Sequence, residues 1–369
     1  MSRKTLVAML IASTFVLAAA AGAAADPWDR DRDRDIVGAV YTMTNSATGN
    51  EVVVFHRDDA GILTKADSVS TGGNGFGGAL DPLGSQGSLV LSADHRWLFA
   101  VNAGSNEISV FRVLPTGLTL VDKIDSGGLL PVSVTVFHDL LYVLNAGTSP
   151  NITGFSFGHR GHLIPLNDST RFLESGGFAQ VGFDPQGEKL VVTDKPGNRI
   201  LVFSVTRDGT PSMTPAISPS NGLTPFAFVF DQRGHLLVSE AGGGAVTSYK
   251  ILDSGTLQVI SPSVANGQTA TCWIVATGRN VFTANPGSKT ISAYTLRIGS
   301  GKIALRNAAA GAANTPLDSG ITGDGRFLYA LDPGNGNVHI WKIKNDGSLT
   351  DRGEVTGGLA VFAQGLAVR

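Results

Sequence analysis

One sequence pattern recurs seven times along the chain, and no other feature restricts the fold as strongly. Each copy has an alternating apolar strand that ends in Asn, Asp or Glu, then a Gly-rich turn and a second strand with a late aromatic residue. The aromatic residues of the seven copies are Phe55, Phe111, Phe155, Phe203, Tyr249, Tyr294 and Trp341. Successive aromatics lie 56, 44, 48, 46, 45 and 47 residues apart. Such a period indicates a repeat architecture in which each copy is one supersecondary unit.

The period and the short strands predict what kind of unit is repeated. A repeat near 47 residues built from short alternating strands is typical of a four-stranded propeller blade. No segment has the pattern of a long amphipathic helix. Each copy supplies strands b and c, counted outward from the axis, and its flanking apolar segments supply strands a and d. The sequence therefore predicts an all-β fold, a single seven-bladed β-propeller over residues 36–369 with four antiparallel strands per blade.

No strand a precedes the first copy, whereas the C-terminal end of the chain has one strand more than the last blade needs. Residues 362–368 resemble residues 178–183, which stand where strand a of the fourth blade is expected. We therefore predict that the C-terminal strand completes the N-terminal blade and closes the ring. Closure of this kind removes free sheet edges and ties both termini into the sheet.

The N-terminal 25 residues have the features of a secretory signal peptide. Arg3 and Lys4 precede an apolar run over residues 6–20, and small residues follow, so we predict cleavage after Ala25. The run is shorter than the roughly 20 residues of a membrane-spanning helix, so no stable membrane insertion is expected. The sequence predicts a secreted or periplasmic protein in which residues 26–35, rich in alternating Asp and Arg, form a charged tether.

Several functional classes are excluded by composition and by motif context. The net charge of −2 and the absence of a basic cluster argue against a nucleic-acid partner. Cys272 is the only cysteine, so no intramolecular disulfide forms, and its apolar neighbours favour a buried thiol. Residues 73–78 match G-x-G-x-x-G, but a strand follows them instead of a helix, so no cofactor is predicted. His159 and His162 form the only close histidine pair, and their Gly-rich turn predicts no metal site.

The b–c copies resemble the Y-V-T-N-x-G-S-x-x-V-x-V-F repeats of the lactonase-type seven-bladed propellers. That family includes 6-phosphogluconolactonases and carboxymuconate-cyclase-like proteins, and the resemblance covers essentially the whole mature chain. It implies a site at one mouth of the central channel, where the d–a and b–c turns lie and where the family clusters His, Arg and Glu. Only Glu240 matches the Asn-Glu pattern of the family, and the resemblance implies that its carboxylate activates water.

The positions that match the family's channel-mouth histidines carry neither His nor Arg here. We predict that the channel mouth binds its ligand through Ser88, Ser133, Gln180, Trp273, Asp318 and Gln364, called here the ring positions. The seventh matching position is Ala227. A phosphorylated sugar acid requires positive charge at the mouth, so these residues favour an uncharged lactone or ester.

Two functions remain open from the sequence. The first is an exported hydrolase of a small cyclic ester, with Glu240 as the base and neutral donors for the developing oxyanion. The second is a non-catalytic propeller that binds a small molecule or a protein partner on the face of the d–a and b–c loops. Glu240 also has a structural alternative, because Asn or Asp closes the same turn in other blades. A closed ring favours a monomer.

Overall fold

A computed structural model describes residues 36–174 and 176–369. Over these residues, 29 strands form seven antiparallel sheets. The inner strand of each sheet contacts the inner strands of its two neighbours, and the series returns to its start, which makes a closed ring. The same residues contain no helix long and apolar enough to cross a membrane. The predicted signal peptide and tether lie outside the described residues.

The strands of each blade run from the axis outward. Blade 1 contains β29 (Gln364–Val368), β1 (Gly38–Met43), β2 (Glu51–Arg57) and β3 (Leu63–Ser70). Blade 2 contains β4 (Leu89–Leu91), β5 (Trp97–Asn102), β6 (Glu107–Val113) and β7 (Leu118–Asp125). Blade 3 contains β8 (Pro131–Phe137), β9 (Leu140–Asn145), β10 (Asn151–Phe157), β11 (Leu163–Pro165) and β12 (Arg171–Phe172).

The remaining four blades follow the same order. Blade 4 contains β13 (Phe178–Phe183), β14 (Lys189–Asp194), β15 (Arg199–Ser204) and β16 (Ala216–Pro219). Blade 5 contains β17 (Pro225–Phe230), β18 (Leu236–Glu240), β19 (Ala245–Ile251) and β20 (Leu257–Ala265). Blade 6 contains β21 (Trp273–Thr277), β22 (Asn280–Asn285), β23 (Thr290–Arg297) and β24 (Lys302–Ala312). Blade 7 contains β25 (Ser319–Ile321), β26 (Phe327–Asp332), β27 (Asn337–Ile343) and β28 (Leu349–Thr356).

The seven-bladed fold and its closure by the C-terminal strand are confirmed. Strand β29 pairs antiparallel with β1, so that Val368 lies opposite Val40 and Leu366 lies opposite Thr42. The Thr42 hydroxyl also donates a hydrogen bond to the carbonyl of Gly365 at 2.7 Å. The first blade thus takes its inner strand from the far end of the chain.

One blade departs from the predicted four continuous strands. The outer strand of blade 3 is split into β11 and β12, and Pro165 is the last residue of β11. A proline has no backbone N–H to donate to a neighbouring strand. Arg171, at the start of β12, donates to the carbonyls of Pro211 (2.5 Å) and Ser212 (3.0 Å) and so ties this interrupted edge to blade 4.

The aromatic residues that define the repeats lie in the hydrophobic core. Each is at most 1% exposed, and the set consists of Phe55, Phe111, Phe155, Phe203, Tyr249, Tyr294 and Trp341. Large rings at one position of every blade bury much apolar area where the sheets pack on one another. The pattern that reveals the repeat is therefore also the pattern that stabilises the ring.

Candidate functional site

The loop between blades 1 and 2 fills the channel mouth that the sequence predicts as an open site. We call residues 81–87 of this loop the plug. The Ser85 hydroxyl donates to the carbonyl of Val132 at 2.8 Å, and the N–H of Gln86 donates to the carbonyl of Ala179 at 3.2 Å. The indole N–H of Trp273 donates to the carbonyl of Ser85 at 3.0 Å. The plug therefore bonds to inner strands of several blades and closes this end of the channel.

Gln86 crosses the axis and pairs with the inner strands of two blades on the far side. Its Oε1 accepts the N–H of Ile274 at 3.0 Å, and its Nε2 donates to the carbonyls of Ile274 (3.2 Å) and Phe228 (3.4 Å). The side-chain amide thus makes hydrogen bonds that a neighbouring strand would otherwise make with these backbone groups. Without it, these buried backbone groups would lose their hydrogen bonds, which is costly.

Ser133 and Gln180, two of the ring positions, connect neighbouring blades. Ser133 Oγ donates to the carbonyl of Gln86 at 2.7 Å and accepts the N–H of Val181 at 3.2 Å. Gln180 Oε1 accepts the N–H of Phe228 at 2.7 Å, and its Nε2 donates to the carbonyl of Phe228 at 3.1 Å. Inner strands of adjacent blades are not paired directly, so these side chains supply the hydrogen bonds between them.

Ser88 and Trp273, two further ring positions, are buried beneath the plug. Ser88 is fully buried, and its hydroxyl has no hydrogen-bond partner among the described residues. Trp273 is 1% exposed and packs edge-on against Phe226, with the ring centroids 5.1 Å apart. Neither side chain is open to a ligand that approaches the mouth from solvent.

Asp318 and Gln364, the last two ring positions, lie beside an acid from the plug. Burial raises the pKa of Asp318 to about 7; the N–H of Gly365, at 3.0 Å, opposes this rise, and the carboxyl of Asp81 adds to it. Burial also raises the pKa of Asp81 to about 7, against the opposing effects of Lys195 and of a 3.2 Å hydrogen bond from Gln364 Nε2. Two carboxyl groups therefore titrate near neutral pH at the plugged end.

An axial cavity of about 350 Å³ lies against the plug and follows the inner strands of the ring. Most of its lining is apolar, and its polar side chains are Gln86, Thr135, Gln180, Asp318 and Ser319. Asp318 is the one titratable side chain among the described residues of this lining. Of the ring positions, only Gln180 and Asp318 reach the cavity.

Glu240, the predicted base, is fully buried and does not line the cavity. Its Oε1 accepts the N–H of Gly222 at 2.9 Å and the hydroxyl of Thr247 at 2.5 Å. Its Oε2 accepts the hydroxyl of Ser263. All of these donors belong to blade 5 or to the loop that leads into it, so the carboxylate joins strands of its own blade.

Other blades make the same contact from the same position. Asn102 Nδ2 donates to Ser109 Oγ at 2.7 Å in blade 2, and Asn285 Nδ2 donates to Ser292 Oγ at 2.9 Å in blade 6. In each case, as for Glu240 and Thr247, the partner lies seven residues later, on strand c. This geometry favours the structural alternative for Glu240, and its catalytic role stays a prediction.

Glu240→Gln should lower the free energy of unfolding by about 1–3 kcal/mol, because the new amide directs N–H groups at donors that need an acceptor. Urea denaturation measures this loss. Glu188→Gln, at an exposed position, is the matched control and should change stability by less than about 0.5 kcal/mol. Unchanged stability of Glu240→Gln would contradict the structural role.

The comparisons with known proteins agree with the fold. A family model described as Lactonase, 7-bladed beta-propeller matches residues 40–174 and 238–358. A Bacteroides fragilis protein assigned as a 6-phosphogluconolactonase is 17% identical, with a TM-score of 0.73 over 90% of this chain and 98% of that one. The periplasmic gluconolactonase PpgL of Pseudomonas aeruginosa is 15% identical, with a TM-score of 0.72 over the same shares. No curated protein sequence matches the chain.

The closed ring and its axial cavity define a seven-bladed β-propeller with one end of its channel plugged. The family match spans more than half of the chain. The protein belongs to the lactonase family of seven-bladed β-propellers.

The plug is the main feature that the sequence reasoning missed. Its signal was the interval of 56 residues between Phe55 and Phe111, since every other interval is 44–48 residues. The extra residues lie in the d–a connection, the same segment that carries the G-x-G-x-x-G match. A long loop at a channel mouth predicts that the loop covers the mouth. The residues that it contacts across the axis cannot be predicted in this way, because these contacts do not recur with the repeat.

Proposed function

We propose that this protein hydrolyses a small uncharged lactone or related ester in the axial cavity, with Asp318 as the general base. The observation that carries the proposal is the position of this carboxyl, which is 3% exposed and is the sole titratable side chain of the described cavity lining. A base whose pKa lies near the working pH is well matched to proton transfer.

The reaction needs a base and a donor for the oxyanion. Ionised Asp318 takes a proton from a water molecule, which attacks the lactone carbonyl carbon; the ring C–O bond then breaks, and the leaving oxygen takes the proton back. Thr135 Oγ accepts the N–H of Phe183 at 3.1 Å, so its own hydroxyl proton is available to the oxyanion. The second N–H of Gln180 Nε2 is a further donor at the cavity wall.

The lining also supports the choice of an uncharged substrate. Its described residues include no Lys, Arg or His, and its one charged group is negative when ionised. A phosphate group would lose its hydration without gaining a cation, which is strongly unfavourable in an apolar cavity. A neutral lactone ring carries no charge, so its transfer into the cavity costs much less hydration free energy.

Hydrolysis assays with the chain from residue 26 onward test the substrate class. We expect turnover of at least one uncharged γ- or δ-lactone, with kcat/KM at least about tenfold higher than for its phosphorylated counterpart. The matched pair of gluconolactone and 6-phosphogluconolactone isolates the effect of the phosphate. A preference for the phosphorylated compound, or no turnover of any lactone, would contradict the proposal.

A second candidate is a propeller that binds a small molecule without converting it. The paired state of Gln86 and Gln180 favours it, because both amides already bond to the backbone and offer few free donors. A lactone that raises the melting temperature but is not hydrolysed would support this function. Binding of a protein partner on the loop face is the remaining alternative.

We also propose that the chain is exported and acts as a monomer. The predicted signal peptide supports export, and so does the structural likeness to a periplasmic gluconolactonase. The closed ring supports a monomer, since the inner edges of its seven sheets face the axis, where neighbouring blades enclose them and keep them from pairing with a second copy.

A further inference from the structure

Blade 7 brings three metal-binding residue types together at one point. Asp332 on β26, His339 on β27 and Glu354 on β28 each direct one ligand atom to a place where all three atoms lie within 4.8 Å of one another. Asp332 is fully buried, His339 is 9% exposed and Glu354 is exposed. The cluster is therefore anchored in the blade and opens to solvent through Glu354.

The hydrogen bonds of His339 leave one ring nitrogen without a partner among the described residues, on the side of Glu354. Its Nε2 lies 3.0 Å from Asp351 Oδ1, a contact that fixes the ring proton on Nε2. Its Nδ1 is buried without a hydrogen-bond partner among the described residues and lies 3.9 Å from Glu354 Oε2. The ring also stacks on Trp341, with the centroids 4.2 Å apart. A histidine held by a carboxylate on one nitrogen, with a free lone pair on the other, has the geometry of a metal ligand.

Asp332 is oriented for the same role. Its Oδ1 accepts the N–H and the hydroxyl of Thr315, both at 2.8 Å, and its Oδ2 accepts the N–H of Asn314 at 2.8 Å. A carboxylate has about four acceptor positions, so one remains, with only a long 3.4 Å contact from Asn335 near it. Ligating carboxylates are commonly held by such outer hydrogen bonds.

The hydrogen bond that joins strands b and c in other blades does not explain why a histidine stands at position 339. The corresponding residues of blades 2, 5 and 6 are Ser109, Thr247 and Ser292, and each bonds to the polar residue that ends strand b. His339 stands seven residues after Asp332 in the same way, but makes no hydrogen bond to it. The imidazole thus replaces a structural hydroxyl and leaves a buried nitrogen unused.

We propose that Asp332, His339 and Glu354 bind one divalent transition-metal ion. One imidazole nitrogen and two carboxylate oxygens suit Zn²⁺, with a water molecule as the fourth ligand on the exposed side. Zinc ligands lie about 2.0–2.2 Å from the ion, so the three side chains draw closer on binding, and the exposed Glu354 is free to move inward. The site is separate from the axial cavity and does not depend on its activity.

Titration of the tag-free chain from residue 26 with Zn²⁺, after treatment with a chelator, tests the site. We expect one saturable site by calorimetry and a rise in melting temperature with Zn²⁺. His339→Ser should weaken binding at least about 100-fold and abolish this rise. Serine occupies the same place in blades 2 and 6, so this variant should fold. Asp351→Asn should weaken binding by about 10–100-fold through the orientation of His339.

The control is His162→Ser, at an exposed histidine in a turn, which should bind as the unmodified protein does. Absence of a saturable site, or binding that His339→Ser leaves intact, would overturn the proposal. Equal losses in His339→Ser and His162→Ser would also overturn it, because they would indicate non-specific binding to surface histidines.

Discussion

Asp318→Asn should lower kcat/KM for the preferred lactone by about 10²–10⁴-fold, the usual contribution of a general base. Asparagine has nearly the same shape, and its carbonyl can still accept the N–H of Gly365. The substitution therefore removes the base and leaves the cavity wall in place. Steady-state kinetics measure the effect, and Glu240→Gln is the comparison at the other candidate base. A larger loss of activity in Glu240→Gln than in Asp318→Asn would contradict the assignment.

The pH profile provides an independent readout of the same group. The active form of Asp318 is the carboxylate, and its pKa is raised to about 7 by burial. The rate should therefore fall about tenfold per pH unit below pH 7 and level off above it. A profile that stays flat down to pH 5 would exclude this carboxyl as the base.

The stability of Asp318→Asn distinguishes a loss of activity caused by removal of the base from one caused by unfolding. The pKa of Asp318 is higher in the folded protein than its ordinary value of 3.8, so the folded state binds the proton more tightly than the unfolded state does. The stability that this proton confers is complete below about pH 4 and is lost as the pH rises to about 7. Because asparagine does not ionise, Asp318→Asn should gain stability relative to the original protein over this range. An inactive variant that unfolds more readily at pH 8 would contradict this explanation.

Removal of residues 364–369 should cost stability comparable with the whole free energy of unfolding, about 5–15 kcal/mol for a typical domain. The truncation deletes the inner strand of blade 1 and with it Leu366 and Ala367, which are 8% and 7% exposed. It also leaves β1 as an unpaired edge at the axis, which favours aggregation. We expect insoluble protein or an unfolding transition without cooperativity.

Circular dichroism and urea denaturation of the soluble fraction measure this effect. The control is removal of residues 26–35, the predicted tether, which should leave the transition unchanged. A truncated protein that unfolds cooperatively at the original urea concentration would show that the ring does not need this strand.

Much of the fold could be predicted because every blade must satisfy the same packing and hydrogen-bonding requirements. Every blade needs an alternating strand pair, a turn closed by a polar side chain and a large ring between the sheets, so these residues recur near every 47 positions. The surplus C-terminal strand followed from the same count. Of the predicted ring positions, Gln180 and Asp318 reach the cavity, whereas Ser88 and Trp273 are buried, and their role in ligand binding stays a prediction.

The sequence by itself determined the number of blades, their strand order and the closure of the ring, because these depend on local patterns that recur. Only the tertiary structure decided where the cavity lies, since Gln86 closes the channel through contacts with residues up to 188 positions away. It also decided that Glu240 points into its own blade and that His339 faces two acids. The contacts of Gln86 and His339 do not recur in the other described blades, and a contact that does not recur cannot be predicted from the period of the repeat.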